Sequence, residues 1–270
     1  MQNILHQEGE KKLPLLMGIL NVTPDSFSDG GNFYDPHTAL AHANRLLEDG
    51  AHILDIGAES TRPGFEAVSA EDEWARLAPV LNPLLQQGTL VSVDTTKASV
   101  ARASLKQGVQ IINDIWGLQS DSEMPFVIAD SAAHVVVMHN ALKIDAERDI
   151  IADWKRFFDV SLNLAEKAGI AKERLILDPG IGFAKTPAQN IQAIRSLKIL
   201  KSEYQLPILL GLSRKSMFGH FLGRSVKERL AGTLAANIAG VHEGADILRV
   251  HDIREHADAF KMYNLINEGL

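Results

Sequence analysis

The chain has 270 residues, 46% hydrophobic and 23% charged, which is ordinary globular composition with enough apolar material for a large core. A formal net charge of −7 argues against nucleic acid or an anionic membrane as the main partner, so any anionic ligand must meet a local cluster of Lys or Arg. The absence of cysteine removes disulfides, thiolate metal sites and Cys nucleophiles.

Residues 1–13 are polar and lack the apolar stretch of a signal peptide, and no later apolar run is long enough to span a bilayer. The expectation is a cytoplasmic protein with one domain over residues 1–270, preceded by that short polar extension. Short β-type runs then alternate with helical periodicity to the end of the chain. A strand over 15–21 precedes a helix over 36–48, a strand over 53–56 a helix over 70–86, and a strand over 90–94 a helix over 97–106. The pattern continues with strand 110–113 and helix 124–129, strand 134–138 and helix 152–167, and strand 175–178 and helix 187–201. Strand 208–212 with helix 227–242 and strand 247–250 with helix 253–266 complete it.

Gly50, Gly108, Gly169 and Gly244 each follow a helical stretch and precede a new apolar run, the place where a left-handed residue closes a helix. Eight βα units predict an α/β fold, a (β/α)8 TIM barrel. An open doubly wound sheet shares the alternation, but the first strand lacks the Gly-rich dinucleotide turn that such a sheet carries.

In such a barrel the C-terminal strand ends form the catalytic face, so polar residues there are informative. Asn21, Asp55, Asp94, Asn113, Asp114, His139, Asp178, Lys215, Arg249, His251 and Asp252 all fall at or near strand ends. Any one Asp or Asn could simply cap the next helix. Lys215, Arg249 and His251 are poor caps, and two cations with an imidazole on an acidic protein point to an anion site. The loops over 22–35 and 57–68 are long and rich in Gly, Pro and Ser, and are expected to be mobile lids on that face.

These landmarks run from Gly18-Ile19-Leu20-Asn21-Val22-Thr23-Pro24-Asp25-Ser26-Phe27-Ser28-Asp29-Gly30 through Asp55-Ile56-Gly57 and Glu59-Ser60-Thr61-Arg62-Pro63-Gly64. Ser92-Val93-Asp94-Thr95, Ile112-Asn113-Asp114, Asp178-Pro179-Gly180-Ile181-Gly182-Phe183, Gly211-Leu212-Ser213-Arg214-Lys215-Ser216 and Arg249-Val250-His251-Asp252 follow in order. From Met17 to Ile253 the chain resembles the dihydropteroate synthase family. The resemblance implies a transferase of the folate pathway that joins (7,8-dihydropterin-6-yl)methyl diphosphate to p-aminobenzoate, giving 7,8-dihydropteroate and diphosphate.

By the same resemblance, Asp94, Asn113, Met138, Asp178, Lys215 and Arg249 hold the pterin. Thr61, Arg62, Pro63, Phe183 and Ser216 form the p-aminobenzoate pocket and its closing loop. Asn21, Thr61, Arg249 and His251 meet the diphosphate, with Asn21 as a ligand of Mg²⁺, and Lys215, Arg249, His251 and Asp94 are the catalytic group. A homodimer is implied as well. The assignment suits the chemistry: a pterin presents a row of donors and acceptors that carboxylates and an amide can pair, and Mg²⁺ prefers oxygen ligands and bridges phosphates.

Ala58 and Ala184 stand where the family commonly has Gly, and alanine is unfavourable at positive φ, so both loop turns are expected to differ slightly. His42, His52 and His139 are read as ordinary structural histidines, and no His pair has zinc-ligand spacing. The stretch Gly180 to Thr186 superficially resembles a P-loop, but Pro179 and Ala184 replace both required glycines. The alternative function is a methyltetrahydrofolate:corrinoid methyltransferase, a pterin-binding barrel with no use for a diphosphate site. A pterin-binding barrel without turnover is a further alternative, disfavoured by the intact Asn21, Lys215, Arg249 and His251.

Overall fold

The computed structural model describes residues 13–23, 35–59 and 68–268. Eight parallel strands run in the order β6-β5-β4-β3-β2-β1-β8-β7, and a parallel bridge between Leu177 and Ile208 joins the two ends into a nearly closed barrel. The strands are β1 (Leu15–Asn21), β2 (Ile53–Gly57), β3 (Val91–Asp94), β4 (Ile111–Asp114), β5 (His134–Met138), β6 (Leu175–Asp178), β7 (Leu209–Leu210) and β8 (Ile247–Val250). The expected (β/α)8 TIM barrel is therefore the observed architecture.

The helices between them are α1 (Pro36–Glu48), α2 (Ala70–Gln86), α3 (Ala98–Lys106), α4 (Met124–Ala129), α5 (Ile150–Ala168), α6 (Pro187–Arg195), α7 (Leu197–Tyr204), α8 (Ser216–Leu222), α9 (Leu230–His242) and α10 (Ile253–Glu268). Local chemistry sets several boundaries. Asp35 accepts from the backbone of His37 and Thr38 at the start of α1, Asp149 from Ile151 and Ala152 at α5, and Thr186 with Gln189 forms a capping box at α6. The four glycines expected to close helices, Gly50, Gly108, Gly169 and Gly244, all have positive φ.

Three expectations are corrected. The single helix over 187–201 is two, because the chain leaves helical geometry at Ser196 (φ −106°, ψ 9°), and α7 then runs on to Tyr204. The helix over 227–242 starts only at Leu230, since Val226 to Glu228 form a separate 3₁₀ turn with its own Ser225–Glu228 capping box. The short α8 was not foreseen, being too brief to show a period.

The core has two parts. The larger lies between the strands' outer faces and the helices, anchored by fully buried Trp154, Phe158, Leu77, Leu81 and Leu84. The smaller fills the barrel interior with Met17, Ile53, Ile111, Val136, Ile176, Leu209 and Ile247. That interior plug makes the barrel a packed core and leaves the strand tips as the floor of a cup. Much of the two long loops expected to act as lids, including Thr61, Arg62 and Pro63, lies outside the described residues. No helix among the described residues is long and apolar enough to cross a membrane.

Candidate active site

Side chains alternate along a strand, so residues two apart share a face. Applied to the interior plug, this rule lifts a polar layer above it: Asp55 follows Ile53, Asn113 follows Ile111, Met138 follows Val136, Asp178 follows Ile176, Gly211 follows Leu209 and Arg249 follows Ile247. Strand register then aligns the tips. Asn21 pairs with Gly57, Gly57 with Asp94, Asp94 with Asn113, and Met138 with Asp178.

Arg249 stands at the centre. Its Nε donates to Asp55 Oδ2 at 2.6 Å and its Nη2 to Asp94 Oδ2 at 2.9 Å, while Asn113 Nδ2 donates to Asp55 Oδ2 at 3.2 Å. A Cβ placed on Gly211 would lie 3.7 Å from Asp178 Oδ2 and 3.8 Å from Arg249 Cβ, so the bare glycine leaves the space that Asp178 and Arg249 flank. Oδ1 of Asp55 and Oδ1 of Asn113 are buried and have no hydrogen-bond partner among the described residues. Buried acceptors at strand tips call for donors from a ligand or water.

On the other side of the cup the turn after β6 carries Phe183, and Lys215 reaches over it, with Nζ 4.6 Å from the ring centroid. Lys215 Nζ also donates to Ile181 O. Of the Ser213-Arg214-Lys215 run, only Lys215 serves the cup. Arg214, in left-handed geometry at φ 54°, pairs with Asp252 instead. Met138 and Asp178 are both buried, whereas Ser216 is exposed at the start of α8. His251 is exposed on the rim, where its Nδ1 lies 2.9 Å from Ser213 Oγ.

Electrostatics follow from three acids and two cations sharing this buried space. Burial pushes the Asp94 carboxyl up to about 7, with Asp55, Glu73 and Asp114 adding to the rise and Arg249 opposing it. Burial likewise raises Asp178, against the pull of Lys215. Lys215 is lowered to about 8 by burial, with Asp178 opposing. Burial opposes the charge on Arg249 too, but Asp55 and Asp94 outweigh it and hold the guanidinium firmly charged. The cup is thus acid-rich at its floor and cationic at its flank, suited to a flat, donor-bearing heterocycle with an anionic tail.

The capping reading of the strand-end acids holds for only part of the set. Asp114 is used locally, accepting from Trp116 N at 2.9 Å and Leu118 N at 2.7 Å, and Asp178 Oδ1 accepts from Gly180 N. Asp55 and Asp94 cap no helix; they face Arg249. Asp55 is the residue that sequence reasoning left without a role, although its place two residues beyond Ile53 put it on the inward file.

For Mg²⁺ the protein offers little and of the right kind. Asn21 Oδ1 lies 3.9 Å from where a Gly57 Cβ would stand, so the absent side chain keeps that flank of the amide clear. Among the described residues no group of three or more His, Cys, Asp or Glu could hold a metal. A neutral amide oxygen at the rim fits a hard cation that keeps its waters and takes its other ligands from phosphate oxygens.

The pterin binding enzyme family model matches residues 17–251. A dihydropteroate synthase of Bacillus subtilis (strain 168) is 44% identical over 96% of this chain and 91% of its own length. Among solved structures, a dihydropteroate synthase from Clostridium difficile, in the presence of pteroic acid, superposes with a TM-score of 0.90 at 46% identity, covering 95% of this chain and 97% of that one. One from Xanthomonas albilineans with 4-aminobenzoic acid gives 0.90 at 42% identity, covering 96% of this chain and 94% of that one.

Proposed function

Because the chain belongs to the dihydropteroate synthase family of pterin binding enzymes, we propose that it condenses (7,8-dihydropterin-6-yl)methyl diphosphate with p-aminobenzoate to give 7,8-dihydropteroate and diphosphate. The observation that carries this reading is the cluster of Asp55, Asp94, Asn113 and Arg249 at the strand tips, with two buried acceptor oxygens still to be paired. The donor edge of a pterin supplies what those oxygens lack.

In this reading Asp94, Asn113 and Asp178 pair with the pterin's N–H groups, Met138 packs on the ring, and Lys215 faces its carbonyl side. An unpaired acid at a buried position is costly, so the same groups reject rings that lack the matching donors. Arg249 and His251, with Asn21 and Thr61, receive the diphosphate. Mg²⁺ would be held by Asn21 together with phosphate oxygens, and when bound it supplies neutralising charge for the leaving group.

The exocyclic C–O bond breaks first, its electron pair leaving with diphosphate; the amine lone pair of p-aminobenzoate then forms the new C–N bond and the surplus amine proton is released. Arg249 and His251 stabilise the departing anion. Asp94 and Asp178 stabilise the positive charge left on the pterinylmethyl group, and closure of the two long loops, with Thr61, Arg62 and Pro63 beside Phe183 and Ser216, keeps water from trapping it. A homodimer in the cytoplasm completes the proposal.

Turnover tests it. The purified chain, given the pterin diphosphate, p-aminobenzoate and Mg²⁺, is expected to release dihydropteroate and diphosphate in equal amounts. Methyl transfer to a corrinoid protein without dihydropteroate formation would instead favour the corrinoid methyltransferase alternative.

A further inference from the structure

The turn that follows β6 is held by side chains, most of which have no part in the scheme above. Trp154 Nε1 donates to Pro179 O at 3.2 Å, Gly182 N donates to Asn190 Oδ1 at 2.7 Å, and Lys215 Nζ donates to Ile181 O. The remaining carbonyls belong to Lys185. Its Nζ lies 2.8 Å from Gly180 O and 3.3 Å from Phe183 O, and only 5% of the residue is exposed. Its third partner is His139 Nδ1 at 2.8 Å. An ammonium group has three donors and no acceptor, so the three contacts use all of them.

That arrangement fixes the imidazole as well. With Nδ1 accepting from Lys185, the ring proton sits on Nε2 and is donated to Asp153 Oδ2 at 3.0 Å. Burial, reinforced by Lys185, drives His139 down to about 3, so it stays neutral between a carboxylate and an ammonium. The turn also sits hard on β5: a Cβ at Gly180 (φ +69°) would come within 1.9 Å of His139 O and 3.1 Å of Lys185 Nζ. Only glycine allows that approach.

We propose that Lys185, oriented by buried His139 and its partner Asp153, is a positioning residue for the pterin site, tying the turn of residues 180–183 so that Asp178 and Phe183 are presented to the cup. The proposal rests on the pterin-site reading of Asp178 and Lys215. If Lys215 turns to the pterin, Ile181 O loses its donor, and Lys185 becomes the remaining cationic tie on the turn. Burial lowers Lys185 to about 7, so it is an ammonium on the acid side of that value; Asp178 on β6 and Asp153 in α5 favour its charge, and Lys215 beyond β7 and Arg148 just before α5 oppose it. Its own charge lowers the Asp178 carboxyl, working with Lys215, Arg249 and the Gly180 amide against burial.

The test is titration of the full-length protein with a phosphate-free pterin across pH, for wild type, Lys185→Met and Lys185→Gln, with melting temperatures and steady-state kinetics alongside. Loss of the ammonium takes the donor from Phe183 O and leaves Gly180 O with only the Phe183 amide, and is expected to weaken the pterin about tenfold in the Met variant. The Gln amide can still donate to two carbonyls and is expected to recover part of that loss. Both variants lack the charge, so Asp178 protonates more readily and the acid limb of binding moves to higher pH in each. The KM for the pterin diphosphate rises while kcat stays within about twofold.

Unchanged affinity and pH profile in both variants would overturn the proposal. So would a fall in kcat at constant KM, or failure of both variants to fold, which would make Lys185 a core residue. A wild-type protein that binds no pterin would overturn the functional reading itself, and this proposal with it.

Discussion

Nε of Arg249 lies 2.6 Å from Oδ2 of Asp55, a contact across 194 residues of sequence that ties β8 to β2 through the floor of the cup. Asp55 is fully buried, and its other oxygen is unpartnered among the described residues. Asp55→Asn removes the charge that holds Arg249 at the strand tips and that helps keep the Asp94 carboxyl protonated. Pterin affinity is expected to fall by about tenfold, as when a buried charged partner is lost. The acid limb of kcat/KM is expected to move to lower pH, because Asp94 then ionises more easily. A pH–rate series on the variant checks both.

The wild-type pH profile should be a narrow bell. Asp94, raised to about 7, must be ionised to accept from the pterin, so kcat/KM rises as pH passes that value. Lys215, lowered to about 8, must be an ammonium to act on the carbonyl side, so kcat/KM falls as pH passes it. Lys215→Met is expected to lose about 100-fold in kcat/KM and to flatten the alkaline limb while the melting temperature changes little.

Asn21→Ala is expected to raise the Mg²⁺ concentration needed for half-maximal activity by about tenfold, corresponding to roughly 1.4 kcal/mol for one lost oxygen ligand. Chelation should abolish turnover in the wild type and magnesium should restore it. An unchanged requirement in Asn21→Ala would remove this amide from the metal's ligands.

Ala184 carries φ 44°, left-handed geometry that costs an L side chain about 1–2 kcal/mol. Ala184→Gly relieves that strain but adds freedom to the unfolded chain. A net gain of about 0.5–1 kcal/mol is expected, visible in denaturant unfolding as a higher midpoint with an unchanged slope.

The barrel was legible because each unit carries its own signal, an apolar run with a polar end residue followed by helical periodicity, and four of the helices are followed by a closing glycine. The site was legible for the same reason, since Asp94, Asn113, Met138, Asp178 and Arg249 lie on inward files that alternation alone predicts. Ala184 adopts positive φ despite its side chain, while Ala58 does not. What sequence could not show was pairing. Asp55 looked like one strand-end acid among several until Arg249 was seen to grip it, and His139 looked structural because nothing along the chain links it to Lys185, 46 residues away. The break at Ser196 was hidden by apolar spacing that runs through it unchanged.

In the proposed function a row of acids and one amide at the strand tips reads a pterin, with the buried Asp178 carboxyl facing Lys215. Isothermal titration of a phosphate-free pterin into wild type and Asp178→Asn measures this without turnover or metal. Measurable wild-type binding is expected, weakened about 100-fold or more in Asp178→Asn with the fold retained. Equal affinity in the two proteins would contradict it.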